Sequence, residues 1–202
     1  MEVCLAVFDK ATRHTIKCTE LSQSPRGIET DEHVAEVVPY LEQKVLGSTA
    51  DAFVLSCFSD PGIGRIRALT ARPVIGIAEA AYLAALGLGR RFGIISLGPS
   101  SIARHFRYLK ELGLDSRLAG DRSIDMTVVE LMAGDVVENV SRTGEIMRDV
   151  DGADVLILGC AGLGSYREGL QERLRVPVVD PVQAGVGLAC TTLDLGYRKN
   201  AS

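Results

Sequence analysis

The sequence predicts an α/β protein with two similar lobes, each with a small parallel sheet flanked by helices, related by a pseudo-twofold axis. From residue 53 onward, short apolar segments alternate with helical patterns, which is typical of parallel sheets covered on both faces. The segment ADAFVLSC (50–57) recurs as ADVLILGC (153–160), with seven positions from alanine to cysteine in each copy. Downstream, ARPVI (71–75) is answered by LRVPVV (174–179), and each is followed by a helical pattern.

The two copies predict two lobes that share a cleft. No glycine- or serine-rich linker separates them, so we expect the two sheets to pack against each other. The first lobe is predicted to span residues 1–95 and to carry Cys57, and the second to span residues 96–181 and to carry Cys160. The C-terminal helix, within residues 182–202, is expected to return to the first lobe.

The composition is that of a globular α/β protein and excludes several functions. The 202 residues are 47% hydrophobic and 24% charged, with 21 glycines, and no apolar run is long enough to span a membrane. The net charge of −4 comes from both signs spread along the chain, without a basic stripe, so nucleic acid is not an expected partner. The N-terminus lacks the pattern of a signal peptide, which predicts a cytoplasmic location.

The N-terminal region is the least regular part of the predicted fold. Residues 2–8 form an apolar strand pattern, and residues 14–20 alternate polar and apolar residues like a second strand. Only a few residues separate them, which is too short for a helical crossover, so either a hairpin or an atypical first strand is expected. Residues 22–30 are predicted to be a loop, and a helix capped by Thr30 or Asp31 is predicted to reach about residue 46.

The rest of the chain alternates regularly between strands and helices. Short apolar segments predict strands at 53–56, 74–77, 92–96, 155–159 and 176–179, and an edge strand within 114–122. Helical periodicity predicts helices at 61–69, 79–88, 99–112 and 182–195, another between the last two strands, and one over 126–150 that is interrupted near Gly134 and Gly144.

Five cysteines, an odd number, are present at positions 4, 18, 57, 160 and 190. No CxxC pair and no cysteine and histidine cluster has the spacing of a zinc site, so we expect reduced thiols and no metal. Cys4, Cys18 and Cys190 lie in apolar or helical patterns and are interpreted as small buried hydrophobic residues. Cys57 and Cys160 instead follow equivalent strands, where ligands bind in parallel sheets.

Two thiols on opposite sides of a cleft suit inversion at a carbon atom. One thiolate can remove a proton next to a carbonyl group, and the other thiol can protonate the opposite face of the planar enolate. Amides within 58–62 and 161–164, including those of Ala161 and Gly162, are expected to face a ligand oxygen, and helix dipoles to favour the thiolates. This chemistry needs no cofactor and acts on a small molecule.

Polar residues near the first copy are candidates for substrate contact. Ser59 and Asp60 follow Cys57, but a helix N-cap explains Asp60 better. Glu79, near the start of a helix, is explained equally well by contact with the cleft and by interaction with the helix dipole.

The segment SLGPSS (96–101) resembles a ligand loop between a strand and a helix. We predict substrate contact for Ser96 and interpret Ser100 and Ser101 as helix caps. No complete phosphate-binding motif is present, so a nucleotide role is not favoured. The histidines lack metal-ligand spacing and are interpreted as solvated or capping residues: His14, His33 and His105.

Seven motifs in this order and spacing resemble the aspartate/glutamate/hydantoin racemase superfamily, and within it the hydantoin and allantoin racemase branch. They are PRGIET (25–30), SCFSDPG (56–62), PVIGIAEAA (73–81), RRFGIIS (90–96), AGDRSID (119–125), LILGCAG (156–162) and VPVVDP (176–181).

The resemblance implies a racemase independent of pyridoxal phosphate, with Cys57 and Cys160 as the opposed acid and base. GCAG (159–162) is similar to hydantoin racemases, whereas amino-acid racemases have a GCTE-type motif and an Asn-Thr after the first cysteine. A cyclic ureide is therefore favoured over free aspartate or glutamate. The family also implies a homo-oligomer.

One departure from the family leaves alternatives open. FDKAT (8–12) stands where hydantoin racemases have an Asn-Pro-Asn-Thr motif, and the crossover helix after it is missing from the pattern. An amino-acid racemase, an arylmalonate-type decarboxylase and an inactive ligand-binding relative therefore remain alternatives. The presence of both thiols favours racemisation over decarboxylation, which uses a single cysteine in that fold.

Overall fold

The computed structural model describes residue 8 and residues 12–25, 27–133 and 136–197. The predicted strand at 2–8 lies outside this part of the chain except for Phe8, as does Cys4. The helices are α1 (Asp31–Leu46), α2 (Ile63–Leu69), α3 (Ile77–Leu88), α4 (Pro99–Glu111), α5 (Val128–Ala133), α6 (Val137–Asp149), α7 (Arg167–Leu174) and α8 (Pro181–Asp194). The strands are β1 (Phe53–Leu55), β2 (Val74–Gly76), β3 (Phe92–Ser96), β4 (Leu118–Ser123), β5 (Val155–Leu158) and β6 (Val178–Val179).

These strands form two parallel sheets, which confirms the predicted fold class. One sheet pairs β1 with β2, and the other has the order β4-β3-β5-β6. Every residue of β3 and β5 is buried, as expected for central strands with helices on both faces. The predicted edge strand within 114–122 is confirmed as β4, which lies at the edge of its sheet.

Helices α3 and α8 connect the two sheets. Helix α8 packs on β1, β2 and α3, whereas α3 also packs on β5 and β6. Alanines on α3 allow this close approach, because Ala78, Ala81 and Ala85 are buried against the apolar residues of β3 and β5. The first sheet is thereby held beside the second without a linker.

The sheet pairing places the boundary between the lobes earlier in the chain than the predicted position after residue 95. A division between residues 95 and 96 would separate β3 from its own sheet, since β3 is hydrogen-bonded to both β4 and β5. The boundary that respects the sheets therefore falls between α3 and β3.

The predicted strand at 14–20 is wrong. Residues 15–20 have no regular secondary structure, and they border a cavity with Val54 and Leu55 of β1. The alternation of polar and apolar residues thus reflects a segment that lies over apolar residues without joining a sheet. Cys18, predicted to be buried, is exposed for the same reason.

The predicted break at Gly144 is also wrong, because α6 is continuous through this residue. A Cβ atom at Gly144 would lie 2.6 Å from Leu174 Cδ1, so the glycine permits α6 to approach α7 closely. Gly134, the other predicted break, lies outside the described residues. No helix in the described ranges is both long and apolar enough to cross a membrane.

Candidate active site

A cavity of about 720 Å³ lies between the two sheets at the carboxyl ends of β1 and β5. Cys57 follows β1 and Cys160 follows β5, and both line this cavity. Three of the other predicted contact residues, Ser59, Ala161 and Gly162, line it as well. The duplicated strand ends therefore meet at one site, as ligand binding beyond the ends of parallel strands requires.

Cys57 lies in a short turn between β1 and α2. Burial raises the pKa of its thiol, while hydrogen bonds from the amide and the hydroxyl of Ser59 lower it. Asp60 raises the same pKa and Arg104 lowers it, each through its charge. The hydrogen-bond donors of Ser59 and the charge of Arg104 therefore stabilise the thiolate form of Cys57.

Cys160 begins a 3₁₀ helix, Ala161–Tyr166, and its sulfur accepts a hydrogen bond from the Gly162 amide at 3.4 Å. Burial raises the pKa of Cys160 to about 11, the Gly162 amide opposes this rise, and the charges of Cys57 and Glu29 add to it. The amides after both strands favour the thiolates, as expected, but burial outweighs them, so the pKa values of both thiols are raised.

Arg104 of α4 is the main site residue that the sequence did not indicate. It is only 9% exposed and lines the cavity. Its Nε donates to Ser59 Oγ at 3.0 Å and its Nη1 donates to Asp31 at 3.1 Å, so it ties the Cys57 turn to the start of α1. The sequence signal that could have indicated Arg104 is that polar residues stand at 104 and 105, on the helix face that also buries Leu109.

Asp60 caps a helix, as predicted, but the helix is α3 and not the one that follows it. Its carboxylate accepts the amides of Ala78 at 3.0 Å and Glu79 at 2.9 Å. Burial raises the pKa of Asp60 to about 7, although these two amides oppose the rise. Asp60 thus anchors the turn that carries Cys57, and it does not line the cavity.

The structure does not bring Glu79 or Ser96 to the cavity. The Glu79 carboxylate accepts two hydrogen bonds from Arg67, at 3.1 and 2.7 Å, and one from the Tyr108 hydroxyl at 2.5 Å. Ser96 is fully buried and donates to Asp121 at 2.5 Å. As the last residue of β3, it points into the layer between the sheet and α4.

Ser100 and Ser101, interpreted as caps, are the serines of this loop that line the cavity. Neither serine caps α4, whose N-cap is Gly98 without a side-chain cap: Ser101 Oγ donates to Gly98 O at 2.7 Å, and Ser100 Oγ donates to Glu29 O at 2.8 Å. Ser100 therefore connects the start of α4 to Glu29, which also lines the cavity.

One histidine differs from its predicted surroundings. His105 is buried, with Nδ1 2.8 Å from Asp121 Oδ2 and 3.2 Å from Ser96 Oγ, so it is neither solvated nor a cap. His14 pairs with Asp194 at 2.9 Å, and His33 Nδ1 accepts from the Glu29 amide at 3.4 Å. In the described part of the chain, no group of three or more His, Cys, Asp or Glu side chains is placed to hold a metal ion.

One part of the cavity wall carries four apolar side chains. It comes from the loop after β4 and from α5, neither of which belongs to the first sheet. Its apolar residues in the cavity are Met126, Val128, Leu131 and Met132. Asp125, Thr127 and Glu130 of the same segment also line the cavity, and Leu131 lies against Gly162 of the Cys160 turn. Apolar side chains beside two thiols suit a small molecule with one polar side and one apolar substituent.

The allantoin racemase from Pseudomonas fluorescens has a solved structure that superimposes on this chain with a TM-score of 0.91. The two sequences are 26% identical, and the match covers 98% of this chain and 86% of that one. The chain therefore has the fold of a racemase, which places it among the isomerases.

The sequence matches the Asp/Glu/Hydantoin racemase family over residues 2–189, and the chain belongs to this family. It is 32% identical to the hydantoin racemase of Paenarthrobacter aurescens over 195 residues, which are 93% of this chain and 82% of that protein. It is 33% identical to the hydantoin racemase of Rhizobium meliloti over 197 residues, covering 95% and 82%. The family resemblance of the motifs is thus confirmed.

Proposed function

We propose that this protein is a cofactor-independent racemase that inverts the C5 stereocentre of 5-substituted hydantoins or of allantoin. Cys57 and Cys160 are the acid and base, and Ser59, Ala161 and Gly162 contact the substrate. The observation that carries the proposal is that two cysteines, each following a strand of a different sheet, line one cavity.

The reaction is a pair of proton transfers through a planar intermediate. A cysteine thiolate on one side takes the C5 proton, which is acidic because C5 adjoins a carbonyl group, and the electron pair moves onto that carbonyl oxygen. The thiol on the other side then donates its proton to the opposite face of C5. After one turnover the two cysteines have exchanged protonation states, so the reverse reaction starts from the other cysteine.

Stabilisation of the enolate oxygen is expected to supply a large part of the rate. The backbone amides of Ala161 and Gly162 begin the 3₁₀ helix beside Cys160, where amide hydrogens lack intrahelical acceptors, and the Gly162 amide is shared with the Cys160 sulfur. One such donor is typically worth about 3 to 4 kcal/mol at the transition state. A cyclic ureide also offers flat N–H and C=O edges to Ser59 and Ser101.

The motifs and the cavity both support a ring substrate over a free amino acid. The GCAG motif lacks the threonine and acid of amino-acid racemases. The apolar wall from Met126 to Met132 suits a substituent on C5.

The proposal is tested with the purified protein and optically pure 5-substituted hydantoins, allantoin, aspartate and glutamate, followed by polarimetry. We expect optical rotation to decay to zero with a hydantoin or allantoin and to persist with the amino acids. Decay only with an amino acid would refute the ureide assignment. Release of carbon dioxide from an arylmalonate without racemisation of any compound would indicate a lyase instead.

A further inference from the structure

Arg104 reaches the Cys57 turn from the opposite side of the cavity. It belongs to α4, which follows β3 of the four-stranded sheet, whereas Cys57 follows β1 of the two-stranded sheet. Its guanidinium donates to Ser59 Oγ at 3.0 Å, and the amide and hydroxyl of Ser59 lower the pKa of the Cys57 thiol as hydrogen-bond donors. A buried cation is thus linked to one of the two cysteines through a single side chain.

The chemistry of these groups fixes the direction of the hydrogen bonds. A guanidinium has only donors, so Ser59 Oγ must act as the acceptor in its contact with Arg104. The single hydroxyl hydrogen of Ser59 is then left for the sulfur of Cys57. Hydrogen bonds from a donor that is itself bound to a cation favour the charged form of the acceptor, here the thiolate.

The positive charge of Arg104 near Cys57 is only partly neutralised by its ion pair with Asp31. Asp31 shares its carboxylate between Arg104 at 3.1 Å and Arg107 at 2.7 Å, and the Asp31 side chain is 59% exposed. The other charged group that acts on Cys57 is Asp60, whose carboxylate is turned to the amides of α3. The other ionisable residues that line this cavity are Glu29, His105, Asp125, Glu130 and Cys160.

Cys160 has no comparable support. Its sulfur receives one hydrogen bond, from the Gly162 amide at 3.4 Å, and the nearby charge of Glu29 disfavours its thiolate. The two cysteines are equivalent in sequence and in position on their strands, but their surroundings differ.

We propose that Arg104 is a positioning residue that directs the Ser59 hydroxyl to Cys57, so that Cys57 is the cysteine that loses its proton first and Cys160 is the one that enters the reaction as the thiol. The consequence for catalysis rests on the proposed racemase function. The consequence for the thiols does not, because it concerns the free protein.

Arg104→Gln removes the charge and the Nε donor, and Arg107→Gln is its matched control. Arg107 lies one helical turn further along α4 and also binds Asp31, but it makes no contact with Ser59. The first readout is the pH dependence of alkylation by iodoacetamide, a neutral reagent, with each cysteine followed separately by peptide mass. We expect Arg104→Gln to raise the pH midpoint for Cys57 by about one unit and to leave Cys160 unchanged, with no shift at either cysteine in Arg107→Gln.

Ser59→Ala tests whether the effect passes through Ser59. If it does, Ser59→Ala raises the pH midpoint of alkylation at Cys57 and not at Cys160. The double variant Ser59→Ala with Arg104→Gln should then raise the Cys57 midpoint little further, because both changes interrupt the same connection. Ser59→Ala also serves if Arg104→Gln does not fold. The proposal would be overturned if the pH midpoint of Cys57 alkylation did not change in the variants that fold, or if the midpoint of Cys160 changed equally.

The second readout uses C5 deuterium exchange with single-cysteine proteins. In a Cys160→Ser background, where Cys57 is the remaining base, Arg104→Gln should slow exchange about tenfold at neutral pH. In a Cys57→Ser background it should change exchange by less than about twofold. Equal slowing in both backgrounds contradicts the proposal, whereas absence of exchange in the wild-type protein refutes the racemase function and leaves the alkylation result to decide the role of Arg104.

Discussion

The carboxylate of Asp60 accepts the backbone amide of Ala78 at 3.0 Å, although 18 residues separate them in the chain. The contact joins the turn after β1 to the start of α3, the helix that packs on both sheets. Asp60 has a positive φ of 40° and is only 3% exposed, so the turn is held in an unusual backbone conformation by a buried polar contact. The position of Cys57 therefore depends on a helix cap three residues away.

Stability should fall with rising pH because of Asp60. Its pKa of about 7 in the folded protein lies above the value of 3.8 for a free side chain, so the folded state holds this proton more tightly than the unfolded state does. The stability that this provides is complete at low pH and is lost as the pH rises to and beyond about 7. Between about pH 5 and about pH 8, the free energy of unfolding should fall by about 1 to 3 kcal/mol more in the wild type than in Asp60→Asn.

Urea denaturation at the two pH values measures this difference. Asp51→Asn, at an exposed position, is the control and should follow the wild type. Parallel pH dependence in the wild type and Asp60→Asn would show that the carboxylate does not titrate in this range.

Gly76→Ala should destabilise the protein and disturb the Cys57 turn. A Cβ atom at Gly76 would lie 2.2 Å from Asp60 Oδ2, so the cap must move. Such overpacking typically costs about 1 to 3 kcal/mol. Gly87→Ala, in the same region of the chain, is the control: its Cβ meets nothing within 4 Å, and alanine in a helix should stabilise by about 0.5 to 1 kcal/mol. Thermal unfolding compares the two, and equal effects would contradict the geometry at Gly76.

On the proposed mechanism, replacing either Cys57 or Cys160 by serine should reduce racemisation by a factor of about 10² to 10⁴, because each change removes one of the two proton-transfer groups. Each single variant should still exchange the C5 proton of one enantiomer for deuterium, and the two variants should act on opposite enantiomers. Polarimetry and proton NMR measure the two effects. Cys18→Ser, at an exposed cysteine, should match the wild type. A double Cys57 and Cys160 variant with wild-type racemisation would refute the two-cysteine mechanism.

Ser96→Ala should affect stability and leave substrate binding unchanged. It removes the donor to Asp121 from a fully buried site, and leaving a buried acceptor unpaired costs about 1 to 3 kcal/mol. Ser101→Ala, in the cavity, should raise KM with a smaller loss of stability. Steady-state kinetics and urea denaturation of both variants measure this contrast. A raised KM for Ser96→Ala at unchanged stability would place Ser96 back in the substrate site.

The repeated strand ends made the α/β class and the pair Cys57 and Cys160 predictable. The position of a residue along its own strand is local information: a cysteine that follows an apolar run lies at the carboxyl end of that strand. The same reasoning misplaced Ser96, because whether the last residue of a strand faces the cavity or a covering helix depends on the twist and packing of the whole sheet.

Contacts between distant segments could not be predicted. Asp60 precedes α2 and has the sequence context of its cap, but it caps α3, since the turn folds back over the second strand. Arg104 gains its role from Ser59, which is 45 residues earlier, and nothing in the local pattern of α4 indicates that partner.

The apolar side chains of the cavity and its two cysteines come from different segments of the chain. The cysteine turns are fixed by sheets, helix caps and a buried arginine, whereas residues Met126, Val128, Leu131 and Met132 come from a loop and the short helix α5. Leu131 packs against Gly162 of the Cys160 turn, whereas exchange of Met126, Val128 and Met132 can alter which substituent fits without replacing a residue of the cysteine turns. This division makes the α5 segment the natural place to diversify when the enzyme is engineered, or evolves, toward new ring substituents.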